Sequence, residues 1–559
     1  MGLQGTPWPW MPSAPFKPPR MSNPRDAIAR IQFWMANCRD RHDCSLLESR
    51  RLPPKRMIHV GAVGKHPRLC RTKGKVGHYV ALSHCWGPKG QRHLITTPGN
   101  LRSHLRGIPL QDFPATFRDA ITVTRALGFK YLWIDSLCIV QDSMEDWISE
   151  STKMADIYRS ASLTLAADFG ASPAAGLFPK NASALLKVRT FMHVDAQGTQ
   201  HQTFVRIAAW PRPKGHPEAR TCYGSEAVSR LDTRAWVLQE RVLSHRTVVF
   251  SSSELFWQCC KIHECSCGNR LKHYTIKDTF EMFLKAPETG VVDGQQCWQH
   301  LIEDYTSRQL TFATDRLPAL AGVASMAPFP VKDYLAGLWR TTLRRDLVWL
   351  NPVGRNSKRL THPPDSFPTL AGDGVNWRIP DKYAPSWSWA SITGPVVFGF
   401  LLSADDISQE WHVFAAQCTP RTANPYGPVS EGFVDIVGDI FPIAIREMLK
   451  NVEQASDGKV TALRELCVIV KGREDVLGLN KSWMDAGLGA REWLDEESDY
   501  FSFILGMSTE YGAPVGMVLR RARKAKKVVP YSRIGMALFA NWSGQDTPPA
   551  GERLQFRIV

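Results

Sequence analysis

Four short apolar runs, each ending abruptly in polar or turn-forming residues, constrain this chain more than any other feature. They are Tyr79-Val80-Ala81-Leu82-Ser83, Tyr131-Leu132-Trp133-Ile134, residues 163–167 and residues 247–250. Each is too short for a helix that must bury a stripe. The first predicts a buried strand and the second a strand covered on both faces, while residues 163–167 and 247–250 read as further strands. Helical periodicity separates the first three. Phe117, Ala120, Ile121, Thr124 and Leu127 share one face before Gly128, and Thr116 with Asp119 has the spacing of a capping pair. A second helix is expected from Ser143, capped with Asp146, with Trp147, Met154, Ile157, Tyr158 and Ala161 on its buried arc. Strand, helix, strand in this order predicts an α/β layer fold. Ser83 and Asp135 then fall at strand ends, where open α/β sheets bind ligands.

Glu150 falls inside the apolar arc of the second helix. A buried carboxylate must be paired, hydrogen-bonded or neutralised, which makes it the most informative irregularity in the sequence.

The rest of the chain is read more coarsely. Seven prolines between Pro7 and Pro24 exclude propagating helix or sheet, so residues 1–25 are expected to be a disordered tail. Ile28, Ile31, Trp34 and Met35 suggest a short helix from Asp26 leading into Cys38, His42 and Cys44. Three soft ligands can begin a zinc site, but a structural site needs a fourth, and none is identifiable by spacing. Cys259, Cys260, His263, Cys265 and Cys267 form the densest cluster. Their spacing does not match the two-knuckle patterns. Structural thiols are therefore expected, and no metal is assigned. Residues 170–230 read as irregular and basic.

Lys and Arg number 69 against 53 Asp and Glu, a formal charge of +16. The excess is diffuse except at Arg520, Arg521, Arg523, Lys524, Lys526 and Lys527, which read as a solvated turn between strands. Nucleic-acid binding ranks last because no recognised motif accompanies the charge. Thirteen cysteines without a secretory leader predict reduced thiols in an intracellular compartment. No 18-residue apolar run is present, so no membrane partner is expected. No P-loop, G-x-S-x-G or Rossmann fingerprint follows a strand.

Three blocks together resemble the fungal heterokaryon-incompatibility (HET) family. They are Tyr79 through Gly87; Asp119-Ala120-Ile121 through Ala161, including Tyr131-Leu132-Trp133-Ile134-Asp135-Ser136-Leu137-Cys138-Ile139; and Thr233-Arg234-Ala235-Trp236-Val237-Leu238-Gln239-Glu240-Arg241. Thinner flanking motifs also resemble larger members: Trp34, Cys38, His42 and Cys44; Tyr334 to Trp339; Ala384 to Ala390; and Tyr531 to Gly535. His84 stands where Tyr is frequent in the family, and Ala235 where Gly is. The resemblance implies a protein of fungal incompatibility, programmed cell death or innate immunity, cytoplasmic or alternatively nuclear, acting through a protein partner or self-association. It also implies a TIR-like, flavodoxin-like module, some relatives of which cleave NAD with a helix-borne glutamate. The expected organisation is a lead-in at 26–75, the HET domain at 76–250 and a mixed, β-rich extension at 251–559.

On that reading Glu150 is the catalytic candidate, stabilising the oxocarbenium-like transition state of nucleotide N-glycosidic cleavage with NAD as substrate. Trp86 or Trp147 would stack on a base, Ser83 and Asp135 would hold ribose hydroxyls, and Arg234 or Arg241 would face phosphate. The alternative reading pairs Glu150 structurally with one of those arginines and makes the module a non-enzymatic scaffold. Trp133, Trp147 and Trp236 are expected in the core.

Overall fold

The four apolar runs become the centre of one sheet because their side chains, buried on both faces, have no other place to go. In the computed structural model the described residues are 23–42, 44, 54–72, 74, 77–88, 94–179, 188–194, 198, 200–206, 229–251, 254–266, 275–289, 294–351, 379, 383–399, 401–403, 405–450, 463–470, 481–484, 499–511, 513–521, 530–539 and 552–559. The expected tail before Asn23, Cys267 and the basic residues from Ala522 to Lys527 lie outside them. The chain divides into two compact units, Met1–Lys277 and Asp278–Val559; both mix helices and sheets.

The first unit carries strands β1 (Arg56–His59), β2 (Arg68–Arg71), β3 (Tyr79–Ser83), β4 (Tyr131–Ile134), β5 (Leu163–Ala167), β6 (Val188–Val194), β7 (Gln200–Arg206), β8 (Arg246–Phe250), β9 (Leu255–Cys259) and β10 (His263–Cys265). Eight of them form a sheet in the order β10-β9-β8-β5-β3-β4-β1-β2. The middle four are parallel. Antiparallel strands close both sides. Every residue of β3, β5 and β8 is buried, as expected for parallel strands packed on two faces. The outermost β2 is four residues long with exposed Arg68 and Arg71 at its ends, features that discourage edge pairing with another chain. β6 and β7 form a separate antiparallel hairpin within the stretch expected to be irregular.

Among the described residues seven α-helices connect or cover these strands: α1 (Pro24–Arg41), α2 (Leu101–Arg106), α3 (Ala115–Ala126), α4 (Asp135–Cys138), α5 (Met144–Ser151), α6 (Met154–Ser160) and α7 (Ala235–Leu243). Helix α1 starts at Pro24 rather than after it, because proline suits the first helical position and Asn23 caps the turn through Arg25 N. Its buried Ala27, Ile31, Trp34 and Cys38 make one stripe. The Ser143 cap forms, its hydroxyl accepting from Asp146 N at 3.3 Å. The Thr116–Asp119 cap does not. Helix α3 begins at Ala115 after Pro114, and these two side chains instead accept from Gly176 N (3.1 Å) and Leu177 N (2.8 Å), pinning the loop after β5. The long second helix breaks at Thr152 and Lys153 into α5 and α6.

Nine described cysteines are free thiols, while Cys265 is disulfide-bonded, a departure from the expected reduced set. Among the described residues no helix is long and apolar enough to cross a membrane.

In the second unit the long strand Val429–Lys450 pairs antiparallel with His412–Pro420, Leu463–Val470, Tyr500–Ser508 and Glu552–Ile558. Ala513–Arg521 and Pro530–Leu538 are antiparallel neighbours in the same sheet, and Arg520 and Arg521, expected in a turn, are the last residues of the first of these strands. The three thin C-terminal motifs converge here. Ser388 Oγ donates to Ala336 O at 2.6 Å, and Arg533 N donates to Ser386 Oγ at 3.0 Å. The fully buried Arg533 guanidinium donates to the carbonyls of Leu347 and Trp349 and lies 3.5 Å from the Trp349 ring centroid. Gly337, with φ +97°, accepts from the indoles of Trp298 (3.1 Å) and Trp389 (3.2 Å), and a Cβ there would stand 2.6 Å from the Trp389 ring.

Gly337→Ala therefore combines backbone strain with overlap in a rigid aromatic core. It should destabilise the second unit by about 3 kcal/mol or more, read as a lowered unfolding midpoint in denaturant. Asp346 is fully buried, and burial pushes its carboxyl up to about 6 despite hydrogen bonds from Thr342, Gln295 and Gln299. The folded state therefore holds that proton more tightly than the unfolded chain. Its contribution is present below the unfolded carboxylate pKa and is lost as pH rises through about 6. Asp346→Asn keeps the shape without the charge, so the variant should gain stability relative to the parent as pH rises from about 4 to about 6, the span between the two pKa values, and hold that gain above it, measured by thermal unfolding across that range.

Candidate functional site

Alternation along β3 sends successive side chains to opposite faces of the sheet. Tyr79 donates to Ile157 O of α6 at 2.5 Å, so Tyr79, Ala81 and Ser83 face α6 and α7. His84, next in line, lies edge-on to Phe117 of α3 with ring centroids 4.9 Å apart. The end of β3 thus presents a hydroxyl on one face and an imidazole on the other. Spatial order also reverses here: the chain steps from β3 to β4 on one side, then returns to place β5 on the other. In open α/β sheets this is where ligands bind.

Asp135, the first residue after β4, joins the two strand ends. One carboxylate oxygen accepts from the Trp86 indole at 2.7 Å. The other accepts from Ser136 N at 2.7 Å and lies 3.6 Å from His84 Nδ1. Asp135 is therefore both a turn cap and the anchor of the loop carrying Trp86. Arg234, just before α7, donates to the His84 carbonyl, tying the third block of the sequence signature to the first.

Glu240 on α7 is the residue that the sequence reading overlooked. It is only 4% exposed and lies among Ser83, Tyr158, Arg234 and Asp135. Burial pushes its carboxyl up; Arg234 and the hydroxyls of Ser83 and Tyr158 draw it down, while the Asp135 charge adds to the rise. Tyr158 itself donates to Leu82 O at 3.2 Å, and burial raises its phenol. The signal that pointed to Glu150, a carboxylate on the apolar side of a short helix, is equally present in Ala235–Leu243, where Val237, Leu238, Val242 and Leu243 are also buried.

Glu150 is completely buried, near the start of β1. Its two oxygens accept from Lys55 N and from Lys153 Nζ, each at 3.0 Å, so its partners are a backbone amide and a lysine rather than Arg234 or Arg241. Beside it, Asp146 accepts from Val140 N at 2.8 Å and pairs with Arg56 and Lys55. Arg241 lies 3.1 Å from Asp232 and 3.8 Å from the buried Asp168. Burial pushes the Asp168 carboxyl up, Arg241 opposing. Trp147 is half-buried and packs edge-on against Trp236 at 6.5 Å, whereas Trp133 is fully buried. The structure thus brings Ser83, Asp135 and Arg234 together around Glu240, bonds Trp86 to Asp135, sets Arg241 among carboxylates, and ties Glu150 to β1.

The cysteines nearest this region are poor nucleophiles: burial pushes the thiols of both Cys85 and Cys138 up.

No curated protein and no solved structure matches this chain. Residues 79–240 match the family model described as Heterokaryon incompatibility protein (HET), a span that opens at β3 and closes on Glu240. The hydrogen-bonded strand ends and the arginine before α7 all fall inside that span, and residues 79–240 of the chain are a HET domain.

Proposed function

We propose that this protein is a cell-death effector of heterokaryon incompatibility whose HET domain cleaves the N-glycosidic bond of a nucleotide such as NAD. The central parallel strands, ordered β4-β3-β5-β8, follow the flavodoxin-like arrangement of second, first, third, fourth, which supports a TIR-like reading. The observation that carries the proposal is Glu240, a buried carboxylate at the reversal point beside a serine, a tyrosine and an arginine.

Cleavage of an N-glycosidic bond builds positive charge on the ribose. A desolvated carboxylate beside it stabilises that charge far more than one in water. Glu240 suits this role better than Glu150 because it lies at the reversal point of the sheet, whereas Glu150 is tied to Lys55 N and Lys153 near the start of β1. On this reading Ser83 and Asp135 would meet ribose hydroxyls, Trp86 would stack on the base and Arg234 would meet phosphate. Because burial raises the Glu240 carboxyl, and the carboxylate is the working form, activity should fall with acidification from above the ordinary carboxylate range.

Turnover of NAD by the purified full chain is the test. Glu240→Gln should lower kcat by roughly a hundredfold or more, with the circular dichroism spectrum unchanged, while Glu150→Gln should act mainly on stability. Absence of cleavage by the parent protein, or full activity in Glu240→Gln, would sink the enzymatic reading.

A second reading is favoured by one observation: Ser83, His84, Tyr158 and Glu240 are all buried, as befits a structural network. On that reading the domain is a scaffold acting through a protein partner or self-association. The exposed Met144 (72%) and Ile148 (45%), one turn apart on α5, would supply apolar contact. Met144→Asp with Ile148→Asp should then abolish cell death on expression without loss of fold, whereas Glu240→Gln should leave it intact.

A further inference from the structure

Three potential ligands near the end of α1 lack a fourth in sequence, and folding supplies it. Cys38 lies on the buried stripe of α1, His42 caps that helix, Cys44 follows, and Cys259 closes β9. Their ligand atoms all lie within 4.8 Å of one another. Cys259 Sγ is 3.4 Å from His42 Nδ1, although these residues are 217 positions apart in the chain.

We propose that Cys38, His42, Cys44 and Cys259 bind one structural zinc ion. In a tetrahedral site with Zn–S near 2.3 Å and Zn–N near 2.0 Å, the S–N edge is about 3.6 Å and the S–S edge about 3.8 Å. The observed separations, 3.4 Å between Cys259 Sγ and His42 Nδ1 and at most 4.8 Å within the group, bracket these values, so small shifts reach them. Cys38, Cys44 and Cys259 are buried and His42 is partly exposed, so all four protein ligands are provided and the ion is shielded, the arrangement of a structural site rather than a catalytic one.

The surroundings fit the charge. Three thiolates and a neutral imidazole around Zn²⁺ carry a net charge of about −1. The buried Arg246 lies alongside, its Nε donating to Cys38 Sγ at 3.3 Å. A donor of this kind stabilises a metal-bound thiolate and fixes its orientation. The frame is also set independently of any ion. Trp34 of α1 stacks on Trp257 of β9 at 6.0 Å and donates to Glu264 at 3.0 Å, and the backbone N–H of His42 donates to Cys38 O at 3.2 Å. Cys260, adjacent to Cys259, approaches Cys44 as well as His245, from which its Sγ lies 3.9 Å, but it falls outside the four-ligand group.

The site lies outside the segment that matches the HET family model, with three ligands before it and one after. Its role would be to clasp α1 to β9 and so lock the flanks of the domain together, independently of any nucleotide chemistry.

The test is metal analysis of the full chain purified under reducing conditions, together with Co²⁺ substitution. About one zinc per chain is expected, as is the intense visible d–d absorption of tetrahedral Co²⁺ with thiolate-to-metal charge transfer. Cys259→Ser and Cys44→Ser should each lose the bound metal, while Cys260→Ser retains it. The Co²⁺ spectrum of the parent protein decides the matter even where a variant fails to fold. Parent protein that takes up neither metal, a soluble Cys259→Ser that retains full stoichiometry, or a native disulfide joining Cys259 to Cys38 or Cys44 would overturn the assignment.

Discussion

The hydrogen bonds of Asp135 hold the ends of the central strands of the first unit in place. A carboxylate at the end of a buried parallel strand has lost much of its water and must be repaid with donors. Here those donors are the Trp86 indole and the Ser136 amide, with His84 close by. Two of these three belong to the loop after the neighbouring strand. The same interactions that satisfy the charge therefore fix the path of the chain beyond β3, and with it the place of Ser83 on the opposite face. Arg234 completes the frame by bonding to the His84 carbonyl, which brings α7 and its buried Glu240 to the same strand end.

The two glutamates buried on short helices illustrate how similar sequence signals lead to different outcomes. Glu150 finds a backbone amide and a lysine, each of which stabilises its charge. Glu240 finds hydroxyls and an arginine, but also the charge of Asp135, and its carboxyl is held up. Environments that raise a carboxyl beside mixed donors are characteristic of functional sites, although structural networks produce them as well.

Much of the central sheet was legible because its determinants are local: apolar runs for β3, β4, β5 and β8, helical periodicity for α3, and the Ser143 cap. What escaped depends on contacts between distant parts of the chain. Thr116 and Asp119 have the spacing of a cap, yet Pro114 already opens the helix and their side chains serve a loop nearly sixty residues on. Trp147 and Trp236 satisfy one another only after α5 and α7 meet. The partner of the Cys38, His42 and Cys44 group lies in another sequence cluster, which spacing alone could not connect. Glu240 is the exception, since its local pattern, a carboxylate on the apolar side of a short helix, matches that of Glu150.

The sheet itself is wider than the family segment. Residues 79–240 include β3, β4 and β5, but β8 on one side and β1 on the other come from outside that span. Cut to its family boundaries, the domain would expose the backbone of β4 and of β5, two hydrophobic strands with unsatisfied amides and carbonyls, to any chain nearby. The unit that can be inherited, recombined or transplanted as a soluble body is thus longer than the unit recognised by resemblance: it must bring α1 and β1 from upstream and β8 to β10 from downstream, so changes in those flanks bear directly on how the recognised core behaves.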